Sequence, residues 1–573
     1  MRPPTVELVP GAENASARGS TVLGSKPRPD ARQREFRDYA VLFIAGVLVA
    51  AGVVLVARVP VAYAAGGVAG LAYLILCARR PALGCAVLVG AVPLIQGLGR
   101  GTVIPLLRPS EAMMALLIVG ALVHELPRRR SRSYSGMDVA VLAFGLGTTL
   151  IPLLYLSFNR PAGIDGTTWF GVFAPLQYLA TYLLFSRVQT TDRDRRLFLN
   201  VAMAASVIVS LLGIAELANL PGVQSFLHTY YPPGTSAGTV NSNVANSLVC
   251  GPGGCRPASV MQHYSAFGAY AVLSYTVALA LLVGRRIGFD RRWLLAVLIL
   301  NALGVFVSET IAAVVGLVLA TVIVLLHRRT FPRQLVFVVV AVVIGVVAFW
   351  GPISTRIQEQ TPTGDETVAG ISLPENLALR EQYWSQLFWP DLREVIWTGT
   401  GDVLPGDIPP PLTAFVDNEY LGMGFRAGIG GEVLLLLMLV VIGVTGWRAR
   451  KSRDPLEVAL GGMAVAYVAA LAVMGTTAQY LTFAGVNQAF WVVIGMFAGV
   501  RAMQLGSSAE PVVQVLHDVG KGTPLPLRLP DRARPTTGPP GNAVPLRPHH
   551  TRRRRSARRR RFLGWRFWPG KPR

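Results

Sequence analysis

Charge is what this 573-residue chain has least of: Asp, Glu, Lys and Arg make up 15% of it, against 52% hydrophobic residues. A soluble chain of this length divides into several domains and carries more charge, so an ordinary multidomain soluble protein is excluded. Acidic residues are the scarcer kind, 31 against 54 basic, for a net charge of +23. The basic excess lies in the tails and in alternate connections rather than on a folded polar domain, which excludes a nucleic-acid-binding module. Absent too are the ten-residue alternations of apolar and polar side chains that build a transmembrane β-barrel. No internal repeat pairs one half of the chain with the other, as transporters often do. Only four cysteines and seven histidines are present. The histidine nearest Cys250 and Cys255 is His263, which completes only three zinc ligands at an awkward spacing, so no metal site is expected. A metal-using membrane transferase with an acidic pair in its first outer loop is excluded as well, because the connection near Arg58 to Pro60 is short and has no carboxylate.

What the chain does have is apolar blocks of roughly 17–25 residues, the length that crosses a bilayer as a helix. Candidate spans begin near Tyr39, Pro60, Pro81, Ser110, Asp138, Trp169, Leu197, Met261, Arg292, Thr310, Arg333, Ile429, Leu456 and Tyr480. The expected fold is therefore an all-α polytopic membrane protein of about fourteen transmembrane helices, with a large extracytoplasmic loop before the last three. The connections holding Arg79-Arg80, Arg128 to Arg130, Arg193 to Arg196, Arg285 to Arg292, Arg328 to Arg333 and Arg448 to Arg453 alternate with connections nearly free of Lys and Arg. The positive-inside rule assigns the basic set, and both tails, to the cytoplasm. Keeping that alternation requires a tight turn at Ser308-Glu309. The first 38 residues are polar and carry no cleavable signal pattern, so 1–38 reads as a disordered cytoplasmic tail. Residues 39–505 form the membrane domain, with outer loops 219–260 and 351–428. Residues 506–573 read as a disordered basic cytoplasmic tail. Its RRRRSARRRRFLGWRFWPGKPR ending, Arg552 to Arg573, suits anionic lipids of the inner leaflet, with no specific nucleic acid.

The outer loops carry the groups with chemistry. VCGPGGCR holds Cys250 and Cys255 about a Gly-Pro-Gly-Gly turn, and a disulfide is expected on that oxidising face. LALREQYWSQLFWPDLREVIWTGTG, Leu377 to Gly401, spaces Arg380, Tyr383, Trp384 and Leu387 as an amphipathic helix on the membrane surface. Its Arg380 either snorkels or binds phosphate. Gly399 and Gly401 mark a turn where the backbone approaches something closely. In VDNEYLGMGFRAGIGG, Val416 to Gly431, a helical reading puts Asp417, Tyr420, Gly424 and Gly428 on one face. Asp417, Glu419 and Arg426 are expected to line a wet cavity. Asp417 or Asn418 also suits a helix cap, a role compatible with catalysis. Arg256 and His263 stand at the outer end of another span.

Four stretches in order make the chain resemble the O-antigen ligase and O-antigen polymerase superfamily of membrane glycosyltransferases. They are RPSEAMMALLIVGAL from Arg108, RPASVMQHYSAFGAY from Arg256, the Arg380–Gly401 loop with its Arg, Trp, Pro and Gly-x-Gly, and the Asp-Asn-x-Tyr-Leu…Gly-x-x-Gly pattern from Asp417. The resemblance implies a GT-C-type enzyme of the bacterial cytoplasmic (inner) membrane, without cofactor or metal. It would take a polyprenyl-diphosphate-linked glycan as donor and a glycan or other envelope acceptor. It implies Asp417 and Glu419 as catalytic candidates, and Arg256, His263, Arg380, Trp384, Asn418, Tyr420 and Arg426 as substrate-binding ones. Asp417, where ligases have His, leans towards polymerisation; a ligase is the alternative. Glu309 stands where the family has Arg, and Arg426 where it has an acidic residue, which suggests that Arg426 replaces the lost cation. Outside the family, a transporter or lipid flippase and a non-catalytic envelope scaffold are the competing readings.

Overall fold

The computed structural model describes residues 61–98, 107–125, 134–159, 166–188, 190–231, 250–251, 254–261, 263–284, 288–328, 367–368, 371–372, 380–401 and 416–520, with isolated positions between 336 and 354. The chain divides into two units, Met1–Ala509 and Glu510–Arg573. Of the second, residues 510–520 are described, as helix.

Fourteen helices are seen among the described residues. They are α1 (Val61–Arg79), α2 (Pro81–Ile95), α3 (Pro109–Glu125), α4 (Gly136–Asn159), α5 (Gly166–Arg187), α6 (Asp192–Leu217), α7 (Val223–Tyr230), α8 (Tyr264–Val283), α9 (Arg291–Val307), α10 (Ile311–Arg328), α11 (Trp389–Glu394), α12 (Glu419–Ala449), α13 (Pro455–Met474) and α14 (Ala484–Gly520). Seven are long and apolar enough to cross a membrane, and α1, α2 and α3 contain shorter apolar helices. The protein is an all-α polytopic membrane protein. Twelve of the expected spans coincide with a helix; those near Tyr39 and Arg333 lie outside or largely outside the described residues, as do the N-terminal tail and the Arg-rich C-terminal ending. Helix α14 runs on to Gly520, past the expected start of the tail at 506.

Why these helices pack as they do is legible in their faces. Helix α8 is apolar all round and buried from Ser265 to Val283, as an all-round apolar helix at a bundle centre must be. It packs on α9, α10 and α13. Helix α10 is two-faced. Val315, Val318, Val322 and Leu326 are exposed, at spacings of three and four that form one lipid-facing stripe. Its buried Ala313, Gly316 and Ala320 let it approach α13 closely; a methyl on Gly316 would strike Met474 and approach Ala470. The turn between α9 and α10 is present, with Glu309 in left-handed conformation at φ 49°.

Contacts sort the connections into two ends. At one end Arg195 at the start of α6 reaches the Met503 sulfur of α14. There too Gly288 abuts Arg196, and Arg501 pairs with Glu457 at 3.1 Å. At the other end the Ser259–Met261 turn abuts Gly97 and Gly485, and Arg380 meets the α13–α14 connection. The described parts of the 193–196 and 285–292 connections thus lie at the end where Arg501 meets Glu457.

Two-residue strands Cys250–Gly251 (β1) and Gly254–Cys255 (β2) pair antiparallel with Cys250 opposite Cys255. The side chains of both cysteines, and so the expected disulfide, lie outside the described residues.

Candidate functional site

The end remote from Arg195 and Arg501 carries the charged side chains singled out in the sequence. It is assembled from four pieces: the turn entering α8, the 380–401 segment, the 416–428 segment and the α13–α14 connection.

The 380–401 segment is helical from Arg380 to Tyr383, widens into a π-turn over Trp384–Phe388 and continues as α11. The expected helix is therefore present, with one face buried, but it is not a regular α-helix. Its Phe388 and Leu392 are buried with Val416 and Phe425 of the 416–428 segment. Trp384 is part of that packing: its Nε1–H donates to the Val416 carbonyl at 3.0 Å. The π-turn is the local accommodation that turns these side chains inward. The Trp397–Gly401 turn then inserts into a break in α12. Residues Ala427 and Gly428 leave helical geometry, so the Phe425 carbonyl and the Ile429 N–H lose each other as partners. Thr400 N–H donates to the first at 2.6 Å and the Ile396 carbonyl accepts from the second at 2.7 Å. Gly428 has φ 60°, and a methyl there would lie 2.5 Å from the Trp397 backbone. The Gly-x-Gly is therefore a backbone joint.

Asp417 precedes this helix rather than sharing its face. It adopts φ 50°, a left-handed conformation that Asp tolerates better than most. Asn418 is the N-cap, its side chain accepting from Tyr420 N–H at 2.9 Å and Leu421 N–H at 3.2 Å. The expected Asp417–Tyr420 face is thus broken by the cap, and the left-handed turn directs Asp417 to Arg380. Their Nη2–Oδ2 distance is 3.2 Å, with the side chains 22% and 41% exposed. Arg380 also donates through Nη1 to the Thr477 carbonyl at 3.0 Å. Desolvation pushes the Asp417 carboxyl upward, and Arg380 offsets only part of that.

His263 is the N-cap of α8, with Nδ1 accepting from Ser265 N–H at 3.2 Å. That bond fixes Nδ1 as the acceptor of the neutral ring. The ring is stacked on Tyr264 at 4.4 Å and on Phe483 at 5.1 Å. Burial, then the fields of Arg256 and Arg380, lower its pKa to about 4. Arg256 lies over the Tyr264 ring at 4.6 Å. The buried Tyr480 feels Arg380, Tyr264 and Asp417 electrostatically. Arg256, His263, Arg380 and Asp417 therefore form one partly exposed cluster, although 161 positions separate Arg256 from Asp417 in the chain.

The remaining candidates are not at this mouth. Tyr420 donates its hydroxyl to the Ala472 carbonyl at 2.7 Å. Glu419 is buried; its Oε2 accepts from Leu481 N–H at 2.9 Å and its own N–H donates to the Gly475 carbonyl at 2.7 Å. It braces both ends of the α13–α14 connection. Arg426 is buried too and has another duty. Pro152 in α4 and Pro175 in α5 have no N–H, so the carbonyls four residues earlier, on Thr148 and Gly171, lose their helical donors. Arg426 donates Nε to Thr148 at 3.3 Å, and Nη2 to Gly171 and to Val172, the latter at 3.2 Å. One planar guanidinium closes two proline breaks, which corrects the expectation that it replaces a missing phosphate ligand. Glu419 and Arg426 do line a cavity of about 50 Å3, and Asp417 is not among its walls.

Tyr264, Tyr480 and Phe483 belong to the site and were not among the candidates. Tyr264 follows His263 directly, which was a usable signal. Tyr480 and Phe483 lie in an apolar stretch that reads as the start of a span.

No group of three or more His, Cys, Asp or Glu suited to a metal ion occurs among the described residues. Protein-family models gave no match to the chain, and characterised proteins gave no significant one.

Proposed function

We propose that the protein transfers or polymerises a glycan carried on a polyprenyl diphosphate, on the outer face of a bacterial cytoplasmic membrane, in cell-surface polysaccharide assembly. The observation that carries this is the arrangement of two arginines about a neutral histidine, with a carboxylate on one of them. Arg256 and Arg380 are the cations at the mouth among the described residues, and a leaving diphosphate needs cations. Arg380 presents a planar fork suited to phosphate oxygens, and its present partner Asp417 is 41% exposed and displaceable. A bound diphosphate takes over Arg380 and frees Asp417. The freed carboxylate, its proton affinity raised by desolvation, accepts the proton of an acceptor hydroxyl. That hydroxyl oxygen attacks the anomeric carbon, the carbon–oxygen bond to the diphosphate breaks, and the electron pair leaves on the diphosphate beside the two guanidinium groups. Asp417 is the base of choice over Glu419, whose Oε2 is engaged by backbone.

The reading puts the basic connections and both termini in the cytoplasm by the positive-inside rule. The donor's lipid tail then accounts for a site at a bundle end beside the bilayer. Whether the acceptor is the growing glycan or another envelope molecule distinguishes polymerase from ligase, and the Asp417-Asn418 pair favours the polymerase. The test is complementation of a deletion strain with Arg380→Ala and, separately, Asp417→Asn. Each is expected to lower polymer formation by about 100-fold or more at normal membrane levels of the protein. Wild-type polymer length and attachment in both variants would overturn the reading.

A further inference from the structure

The cavity beside the charged mouth has its own chemistry. Its walls include Tyr178, Glu419, Arg426, Gln479, Thr482 and Trp491. At about 50 Å3 it has room for roughly three water-sized groups, enough for a hydroxymethyl group or the edge of a sugar ring. Thr482 is exposed and Gln479 partly so, which puts the opening at the same bundle end as Arg380. The two sites share one wall: in the α13–α14 connection, Thr477 and Tyr480 serve the charged mouth, while Gln479 and Thr482 serve the cavity.

Two features define what fits. The first is charge. The charged walls are Glu419 and Arg426, opposite in sign, close enough for Glu419 to feel Arg426, and each bound to backbone. The cavity therefore offers no net charge to an ion. The second is an unmet donor. Trp491 is 1% exposed, and its Nε1–H has no hydrogen-bond partner among the described residues. Leaving such a donor unpaired costs about 1–3 kcal/mol, which an acceptor oxygen arriving from outside recovers. Its ring, stacked with Phe144 at 6.3 Å, supplies an apolar wall beside that donor. A donor, an amide, a hydroxyl and aromatic faces without net charge suit an uncharged polyhydroxylated group.

We propose that this cavity binds the hydroxyl-bearing edge of a neutral sugar, and that it is the acceptor subsite holding that sugar next to Asp417. Binding of a neutral sugar is the new claim; its role as acceptor rests on the transferase reading above. Trp491 Nε1–H donates to a sugar hydroxyl oxygen, and the Gln479 amide meets a second hydroxyl at the opening.

The test uses the full chain in detergent. Saturation-transfer NMR is run with glucose, galactose, mannose, rhamnose and N-acetylglucosamine, and calorimetry with inorganic pyrophosphate. At least one sugar is expected to bind the wild type. Trp491→Phe, which keeps the ring and removes the N–H, is expected to weaken it about tenfold. Gln479→Leu, at the partly exposed opening and so a lesser risk to folding, acts in the same direction. Both keep wild-type pyrophosphate binding, and Arg380→Ala does the reverse. Absence of binding by every sugar in the panel, or unchanged sugar binding in either folded variant, overturns the proposal. Sugar binding that responds to both variants in a protein that binds no pyrophosphate supports the cavity and overturns the donor reading instead.

Discussion

Arg426 and Arg380 belong to the same end of the bundle and do opposite things. Arg426 is 8% exposed and spends its guanidinium on carbonyls of α4 and α5 that two prolines have left without donors. Arg380 has one backbone carbonyl and one half-open carboxylate, with 22% of its side chain exposed. The first is a closed joint: its guanidinium is held by backbone carbonyls of α4 and α5, and in the cavity it lines it stands beside the opposite charge of Glu419. The second is an open hand whose best partner is replaceable. Arginines in a membrane protein are costly wherever they are buried, so their presence alone does not mark a binding site. What separates the two is whether the hydrogen-bonding capacity is already consumed by neighbours the fold itself has left in need.

That contrast can be broken at Arg426 first, where the largest effect is expected. Arg426→Met strands the Thr148 and Gly171 carbonyls and leaves Glu419 without its cation, so thermal unfolding in detergent should register a loss of about 3–5 kcal/mol. Lys in its place should recover little, lacking the planar fork. Adding Pro152→Ala and Pro175→Ala to Arg426→Met should return about 1–2 kcal/mol, since the restored N–H groups satisfy the same carbonyls. Equal cost of the prolines in both backgrounds would show that the bracket is not what Arg426 supplies.

His263 sharpens the comparison from the open side. Its pKa of about 4 lies below the ordinary 6.5, so the unfolded chain binds more protons between these values, and stability falls as pH drops from about 6.5 to about 4. Below that window the loss is complete. His263→Asn keeps an N-cap acceptor and should remove up to about 2 kcal/mol of that acid sensitivity after allowance for solvent screening. A stability–pH curve identical to the wild type's would mean that the ring is neither desolvated nor under the fields of Arg256 and Arg380. The smallest effect is expected from Arg380→Ala on stability itself. A partly exposed ion pair contributes about 1 kcal/mol or less, so its melting temperature should scarcely move while pyrophosphate binding is lost. A large destabilisation would make Arg380 another structural bracket.

The Asp417–Gly431 stretch shows how far sequence reading reached and where it stopped. Ionisable groups at the mouth of an apolar helix announce themselves by composition, and Asn418 as a cap follows from residue type. Asp417, Glu419 and Arg426 look alike in that reading, three charged residues within ten positions. The fold sends them three ways: to Arg380 through a left-handed turn, to the Leu481 backbone, and to carbonyls some 255 and 278 positions distant. Trp384 and Tyr420, substrate-binding candidates in the sequence, likewise donate to backbone carbonyls of neighbouring segments.

What the residues alone determined was the class of architecture: the hydrocarbon core admits only long apolar helices, so the spans are properties of local composition. Which charged groups remain available for a ligand was decided only by tertiary structure. A polar side chain buried in a bundle bonds to whatever backbone or side-chain partner lies nearest in space, and that neighbour is set by helix packing and by prolines elsewhere in the chain, not by sequence distance.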